Sequence, residues 1–433
     1  MERDKRPGGW FSWTEKLSGE LNRTFRSFRN RNYKIYSIGQ VFSLSGTWMQ
    51  GIALSWLVYN LTGSAAALGM VSLAGGIPML FLTWFGGVIA DKFDHKKILY
   101  ATVSLQMIQA ALLTYLTFSG LINVYWIVGL SFFAGCVGAV EMPTRQSFVP
   151  DLVSREELAN AIGINSSIRN LSRIIGPAVA GVLLGIFGEA ICFGINSLSY
   201  VAALVALYLI SVDCQSGEGC AEEEVRAESV DSKPSPPVGI RQILASPAVR
   251  NVLLFSAATS MFGFQFSVLL PVIASQVLSG DAAVLGYLSA GSGVGALLGS
   301  LLLASRGSPK ALRRGIGFAG MLLSLSIILL AWSIWMPLSL MAVGFAGASV
   351  SLQMGGSATL IQSSVTKATR GRVMALFSTS MIGFAPFAAF MAGGLADLVG
   401  VSNTLYISGL AVFLTAALYL LVVKGEPEEA QKN

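Results

Sequence analysis

Apolar stretches long enough to cross a bilayer recur twelve times along this 433-residue chain. A spanning helix needs about 20 predominantly apolar residues, because it rises ~1.5 Å per residue through a hydrocarbon core ~30 Å thick. The runs fall at 33–59, 65–90, 98–119, 123–142, 158–187 and 189–211, then at 250–274, 284–304, 315–334, 337–360, 372–398 and 402–423. Hydrocarbon offers no water to unpaired backbone groups, so each run is expected to be helical. Charged residues make up 12% of the chain, half the share of about 25% usual in soluble domains. The mean hydropathy of +0.65 agrees. A water-soluble domain, a disordered chain and a disulfide-stapled secreted fold are excluded. An all-α membrane protein is expected.

The spacing of the runs divides the chain. Residues 1–32 form a basic tail, 33–211 a six-helix half, 212–249 a linker, 250–424 a second six-helix half and 425–433 a short tail. The linker is rich in Glu, Ser and Pro (Glu222, Glu223, Glu224, Pro234, Pro236, Pro237), a composition that cannot bury a core. Residues 1–32 lack the continuous apolar stretch of a signal peptide. Trp10, Trp13, Leu17, Leu21, Phe25 and Phe28 recur there every three or four residues between Arg and Lys. That pattern suits either a helix lying on an anionic leaflet or a loosely ordered tail. All but two of the 29 Lys and Arg fall on one side of the spans, and the opposite loops carry none. Basic loops face the cytoplasm, so both termini and the linker are expected there. The exceptions, Arg169 and Arg173, lie inside span five. Traces of duplication relate the halves. Shifted by 212, Gly181, Leu183 and Gly188 fall on Gly393, Leu395 and Gly400; shifted by 214, Ala90-Asp91-Lys92 falls on Ala304-Ser305-Arg306.

Several chemistries are excluded by residue type. Cys136 and Cys192 sit in apolar runs, while Cys214 and Cys220 lie in the linker without zinc-site spacing or a nearby histidine. His95 is the single histidine, and no phosphate-binding G-x-x-x-x-G-K-[S/T] loop occurs. No metal, cofactor or nucleic-acid partner is expected, and ATP-driven work would need a separate subunit.

The segment Gly86-Gly87-Val88-Ile89-Ala90-Asp91-Lys92-Phe93-Asp94-His95-Lys96-Lys97 follows span two. It resembles the cytoplasmic loop motif of the major facilitator superfamily, G-x-L-x-D-R-x-G-R-R, with Gly87, Asp91, Lys92 and Lys96 at matching positions. Asp94 replaces the second glycine and His95 an arginine, which puts the tight turn of that glycine in question. Further stretches resemble the enterobactin-exporter branch: Ser45–Gln50, Trp56–Ser64, Pro143–Val153, Arg173–Gly181, Gly371–Met374 and Gly393–Asp397. The resemblance implies the major facilitator fold, twelve transmembrane helices in two pseudo-symmetric six-helix halves. It also implies a monomeric bacterial inner-membrane carrier, not an enzyme. Such a carrier exports a small amphipathic molecule (a siderophore or drug) by alternating access, in exchange for protons. Asp91 would hold the halves together on the cytoplasmic side, against the start of span eleven near Gly371-Arg372, with Arg145 as a second partner.

Span five carries the two charges that break the topology pattern. Ser154-x-x-Glu157 resembles a capping box at its start. Asn165, Arg169 and Arg173, spaced i, i+4, i+8, share one face. A charge within a span costs about 2.5–3.5 kcal/mol on insertion scales and so faces a cavity or a partner. Arg173, near mid-membrane, is a substrate or gating candidate, or else bonds Glu141 or backbone carbonyls. Gly176-Pro177 and Gly181 match the exporter-associated G-P-x-x-G-G packing motif, with Ala180 in place of one glycine. Glu141 and Asp397 are the carboxylates available for proton coupling, and Arg145, one turn away, could equally hold Glu141 in a fixed pair. Gln40, Gln106, Gln109, Asn196, Gln265 and Gln353 could line a cavity formed by spans one, four, seven and ten, or bond between helices. Gly291, Gly295 and Gly299 are packing positions. A lipid or lysophospholipid flippase of the same fold and a non-transporting scaffold or sensor are the rival readings.

Overall fold

The computed structural model describes residues 26–210, 246–304, 309–365 and 367–425. The apolar stripe over residues 10–25, nearly all of the linker and the end of the C-terminal tail lie outside them. Among the described residues every regular element is helical, and twelve helices are long and apolar enough to cross a membrane. The first six spans are Arg31–Thr62, Ala65–Lys92, His95–Phe118, Val124–Leu152, Arg155–Phe187 and Glu189–Leu209. The second six are Val249–Val277, Ala282–Leu303, Ala311–Trp332, Met336–Ser364, Thr369–Val399 and Val401–Lys424.

Most boundaries fall within a few residues of the apolar runs. Span four is longer. Its helix continues to Phe148 and passes into a 3-10 turn over Pro150–Leu152. The apolar run ends at residue 142, but Glu141 and Arg145 pair across one turn and neutralise each other inside the helix. Spans seven and eleven are not continuous. Span seven breaks after Phe262 into a 3-10 turn, a short α turn and a π turn over Ile273–Val277, and span eleven has a π turn over Thr379–Gly383. Pro271 and Pro386 stand at the starts of the segments that resume, where a missing N–H costs no helix bond. One carbonyl exposed by the irregularity, that of Met381, accepts from Ser260 Oγ at 2.6 Å.

Local chemistry sets the helix ends. Gly188 and Gly400, which the internal repeat aligns, both adopt positive φ (77° and 88°) and turn spans five and eleven into the spans that follow. The capping box expected at span five does not form. Ser154 occupies the N-cap without a side-chain bond, and Glu156 and Glu157 turn instead to Arg26, at 3.1 and 3.8 Å. The turn before span three needs no glycine. Asp94 sits at φ −57°, ψ 116° and its carboxylate accepts from the Lys97 amide at 3.2 Å, so it caps the helix.

The halves meet along two seams. Span two packs on span eleven and span five on span eight. Gly69 faces the Ala389 carbonyl and Phe390, Gly76 faces Pro386, and Gly393 faces Ala65. On the other seam Gly181 lies against Gly286 and Ala283, and a Cβ on Gly293 would stand 2.9 Å from the Arg173 carbonyl oxygen. These contacts run from the end of the spans remote from the basic loops to about mid-span. Toward the basic face the halves part: Gly87 and Gly163 have open space where a Cβ would point, and Asp91 is exposed. Gly291, Gly295 and Gly299 pack span eight on span ten within the second half.

Candidate functional site

A cavity of about 660 Å³ lies between the halves at the level of Arg173. Spans one to eight supply its walls; span ten supplies none of the lining residues. That departs from the expected set of spans one, four, seven and ten. Gln353 is fully buried and donates to Thr259 Oγ1 at 2.5 Å, and Gln265 donates to the Ser260 carbonyl at 2.9 Å. Gln353 thus ties span ten to span seven, while Gln265 bonds within span seven, and neither lines the cavity. Gln40 is also buried, and accepts from Arg145. Of the amides named from sequence, Gln106 and Gln109 line the cavity.

Sequence reasoning missed Gln50, Trp48, Thr47 and Tyr200. Asn196 Nδ2 donates to Gln50 Oε1 at 2.7 Å, Gln50 Nε2 to Gln109 Oε1 at 3.2 Å, and Gln109 Nε2 to the Leu130 carbonyl at 3.5 Å. This amide chain links spans six, one, three and four. Gly46 makes room for it, since a side chain there would meet Asn196 and Ser199. The signal available was Gln50 itself, an amide set among apolar residues.

Arg173 lines the cavity with its guanidinium over the Trp48 ring, 5.6 Å from the centroid. Among the described residues no carboxylate pairs with it. Gly176 lets span five approach span one at this level, because a Cβ there would lie 2.6 Å from the Trp48 Cβ. Pro177 has no N–H to return to the Arg173 carbonyl, and that oxygen faces Gly293 across the seam. Arg169, one turn nearer the basic face, is exposed and donates to Ser166 Oγ at 3.1 Å. Asn165, half-buried a turn further on, lies outside the cavity wall.

The remaining charged candidates separate into three places. Glu141 and Arg145 form a buried ion pair that also holds Gln40, so Arg145 lies with Glu141 and not with Asp91. The i, i+4 spacing makes that contact inside one helix. Asp397 sits at the opposite end of the molecule. Its carboxylate accepts from Ser64 Oγ at 2.5 Å and from the Ala65 and Ala66 amides at 2.7 and 3.1 Å, crossing from one half to the other. In the loop motif, Lys92 is exposed, while Lys96 donates to the Ile210 carbonyl at 2.6 Å, a cation at the end of span six. His95 Nδ1 lies 2.7 Å from Asp151 Oδ2 and ties the span two–three loop to the end of span four.

This chain is 25% identical over 387 residues to the staphyloferrin A transporter of Staphylococcus aureus, covering 87% of the chain and 92% of that protein. It is 26% identical over 403 residues to macrolide efflux protein A of Streptococcus pyogenes (90% and 96% covered). It is also 26% identical over 435 residues to the enterobactin exporter EntS of Escherichia coli (95% of each). A family model described as a transmembrane secretion effector matches residues 22–433. The chain therefore belongs to the transmembrane secretion effector family of the major facilitator superfamily, a family of multi-pass membrane transporters.

Proposed function

We propose that this transporter exports a small amphipathic molecule, a siderophore or drug-like compound, across the bacterial inner membrane by alternating access. The observation that carries the reading is a cavity between two halves that touch at one face only. By the distribution of basic residues the open face is cytoplasmic, as are both termini and the linker. The described state then loads from inside. Asp91, exposed and unbonded to the second half among the described residues, fits a cytoplasmic lock that is open here. Its closure would seal the cytoplasmic face when the outer seams part. Each chain holds a complete cavity, which supports action as a monomer.

Proton antiport is the coupling we assign, with Glu141 as the first candidate and Asp397 as the second. Glu141 lies toward the cytoplasmic end of the cavity-lining span four and pairs with Arg145, so taking up a proton would release that pair. The test is transport by purified protein in proteoliposomes under an imposed pH gradient, with enterobactin and erythromycin as probes. Movement of either against its own gradient supports the reading, and movement of neither under any gradient overturns it. Asp91→Asn should impair transport in folded protein, and Glu141→Gln should remove the dependence on the pH gradient. A flippase would need a lateral opening between the halves. An apolar groove of about 790 Å³ lies instead within the second half, mainly between spans eight and ten.

A further inference from the structure

The cavity carries charge of one sign. Among the residues that line it, Arg173 is the single charged side chain, and the others are apolar, hydroxyl or amide groups. Asp91 is exposed at the basic end of span two and does not line the cavity, and three other carboxylates of the spans are engaged elsewhere. Glu141 is held by Arg145, Asp397 by the first turn of span two, and Glu189 accepts from Asn60 Nδ2 at 3.2 Å at the far face. The guanidinium of Arg173 meets the face of Trp48 and, among the described residues, no hydrogen-bond acceptor. A guanidinium offers five N–H donors in a planar fork that matches a carboxylate. Here that fork opens on a cavity with an aromatic floor, in a medium where an unpaired charge is costly.

We propose that the ligand of this cavity is an organic anion, a carboxylate carried on an aromatic body. The carboxylate pairs with the Arg173 fork, and the aromatic body packs against Trp48 and the neighbouring apolar wall of Ile52, Leu54 and Val58. The Gln50–Gln109 chain is already satisfied by protein partners, so it bounds the site without demanding charge. A cationic ligand would meet like charge and no counter-ion. Arg169, exposed one turn closer to the open face, extends the same positive surface along the approach. Arg173 also stands where the halves touch, its carbonyl opposite Gly293, so neutralising its charge acts at the seam between them. The proposal rests on the transporter reading and narrows its substrate class.

The test is isothermal titration calorimetry of the full chain in phosphatidylcholine nanodiscs, with empty discs subtracted, using 1-naphthoate, 1-naphthamide and 1-naphthylmethylammonium. Naphthoate should bind roughly tenfold tighter than the amide, with the ammonium weakest. R173Q should bring the carboxylate-to-amide ratio close to unity, while R173K retains part of it. Because the ratio is internal to each sample, an incompletely folded fraction does not alter it. High potassium chloride should weaken naphthoate and spare naphthamide in the unmodified protein, which needs no variant. Equal binding of acid and amide, tighter binding of the ammonium, a ratio that survives R173Q, or binding of none of the three would overturn the proposal. An anion preference in a protein that moves no solute in vesicles would sink the export reading and leave the anion site standing. Export of neutral or cationic solutes without that preference would do the reverse.

Discussion

Asp397, in the last turn of span eleven, accepts a 2.5 Å hydrogen bond from Ser64, the residue that itself caps span two. Two amides of the same turn, those of Ala65 and Ala66, complete the carboxylate's partners. A negative charge at the positive end of a 28-residue helix is favourable in its own right. This contact closes the far face of the cavity and joins the halves.

Replacing Asp397 by Ala should therefore open the far face. Hydrogen bonds to a charged acceptor are worth about 1.5–3 kcal/mol each, so the balance between states should move at least roughly tenfold. Spin labels at Leu121 and Ile334, both exposed at the far face, would report longer distances by double electron–electron resonance. An unchanged distance distribution would remove Asp397 from the closure.

The Glu141–Arg145 pair should answer differently to single and double substitution. Glu141→Ala leaves a buried guanidinium without its counter-charge, a loss of about 3–5 kcal/mol. Glu141→Met combined with Arg145→Met should recover most of it. Unfolding midpoints of the purified variants decide the matter, and additive losses in the double variant would mean that the two side chains are not coupled.

Two glycines of the first and second halves should separate stability from transport. Gly293→Val should cost about 1–3 kcal/mol by forcing span eight off the Arg173 carbonyl. Gly87→Val has open space in the described state and should leave the unfolding midpoint unchanged. It should nevertheless reduce transport, if the basic face closes during the cycle. Normal transport by Gly87→Val would argue that this part of span two meets nothing in any state.

At the turn before span three, Asp94→Ala should lose about 0.5–2 kcal/mol through the missing cap, and Asp94→Gly only a few tenths. Transport by the glycine variant should be close to normal, since the turn has no positive φ to satisfy at this position. A severe transport defect in the glycine variant alone would assign Asp94 a role beyond capping.

The spans were legible because length and hydropathy alone decide what crosses a bilayer. Span four ran past its apolar stretch because Glu141 and Arg145 cancel within the helix, a cancellation that residue-by-residue hydropathy does not contain. Arg173 was legible as a charge inside a span, and its cavity position follows from the cost of leaving it in lipid. The amides were not separable. Gln50 and Gln109 line the cavity while Gln265 and Gln353 fill the interior of the second half, yet all four are isolated amides in apolar helices. Helix rotation and the breaks in span seven decide between them, and both depend on packing across elements. Trp48 reads in sequence as one more large apolar residue, and only the close approach allowed by Gly176 brings it under Arg173.

The two seams, equivalent by internal repeat, differ in what they exchange. Span eight caps its own start, with Asp281 accepting from the Ala283 and Val284 amides at 3.0 and 3.3 Å. Span two borrows its cap from the other half. Among the described hydrogen bonds none crosses between spans five and eight, where Gly181 and Gly286 lie backbone to backbone and can slide without losing a polar contact. Parting spans two and eleven must strip three donors of their acceptor at once. Any swing of the halves would thus be lopsided: one edge offers a greased glycine axle, and the bolt on the other is a single carboxylate.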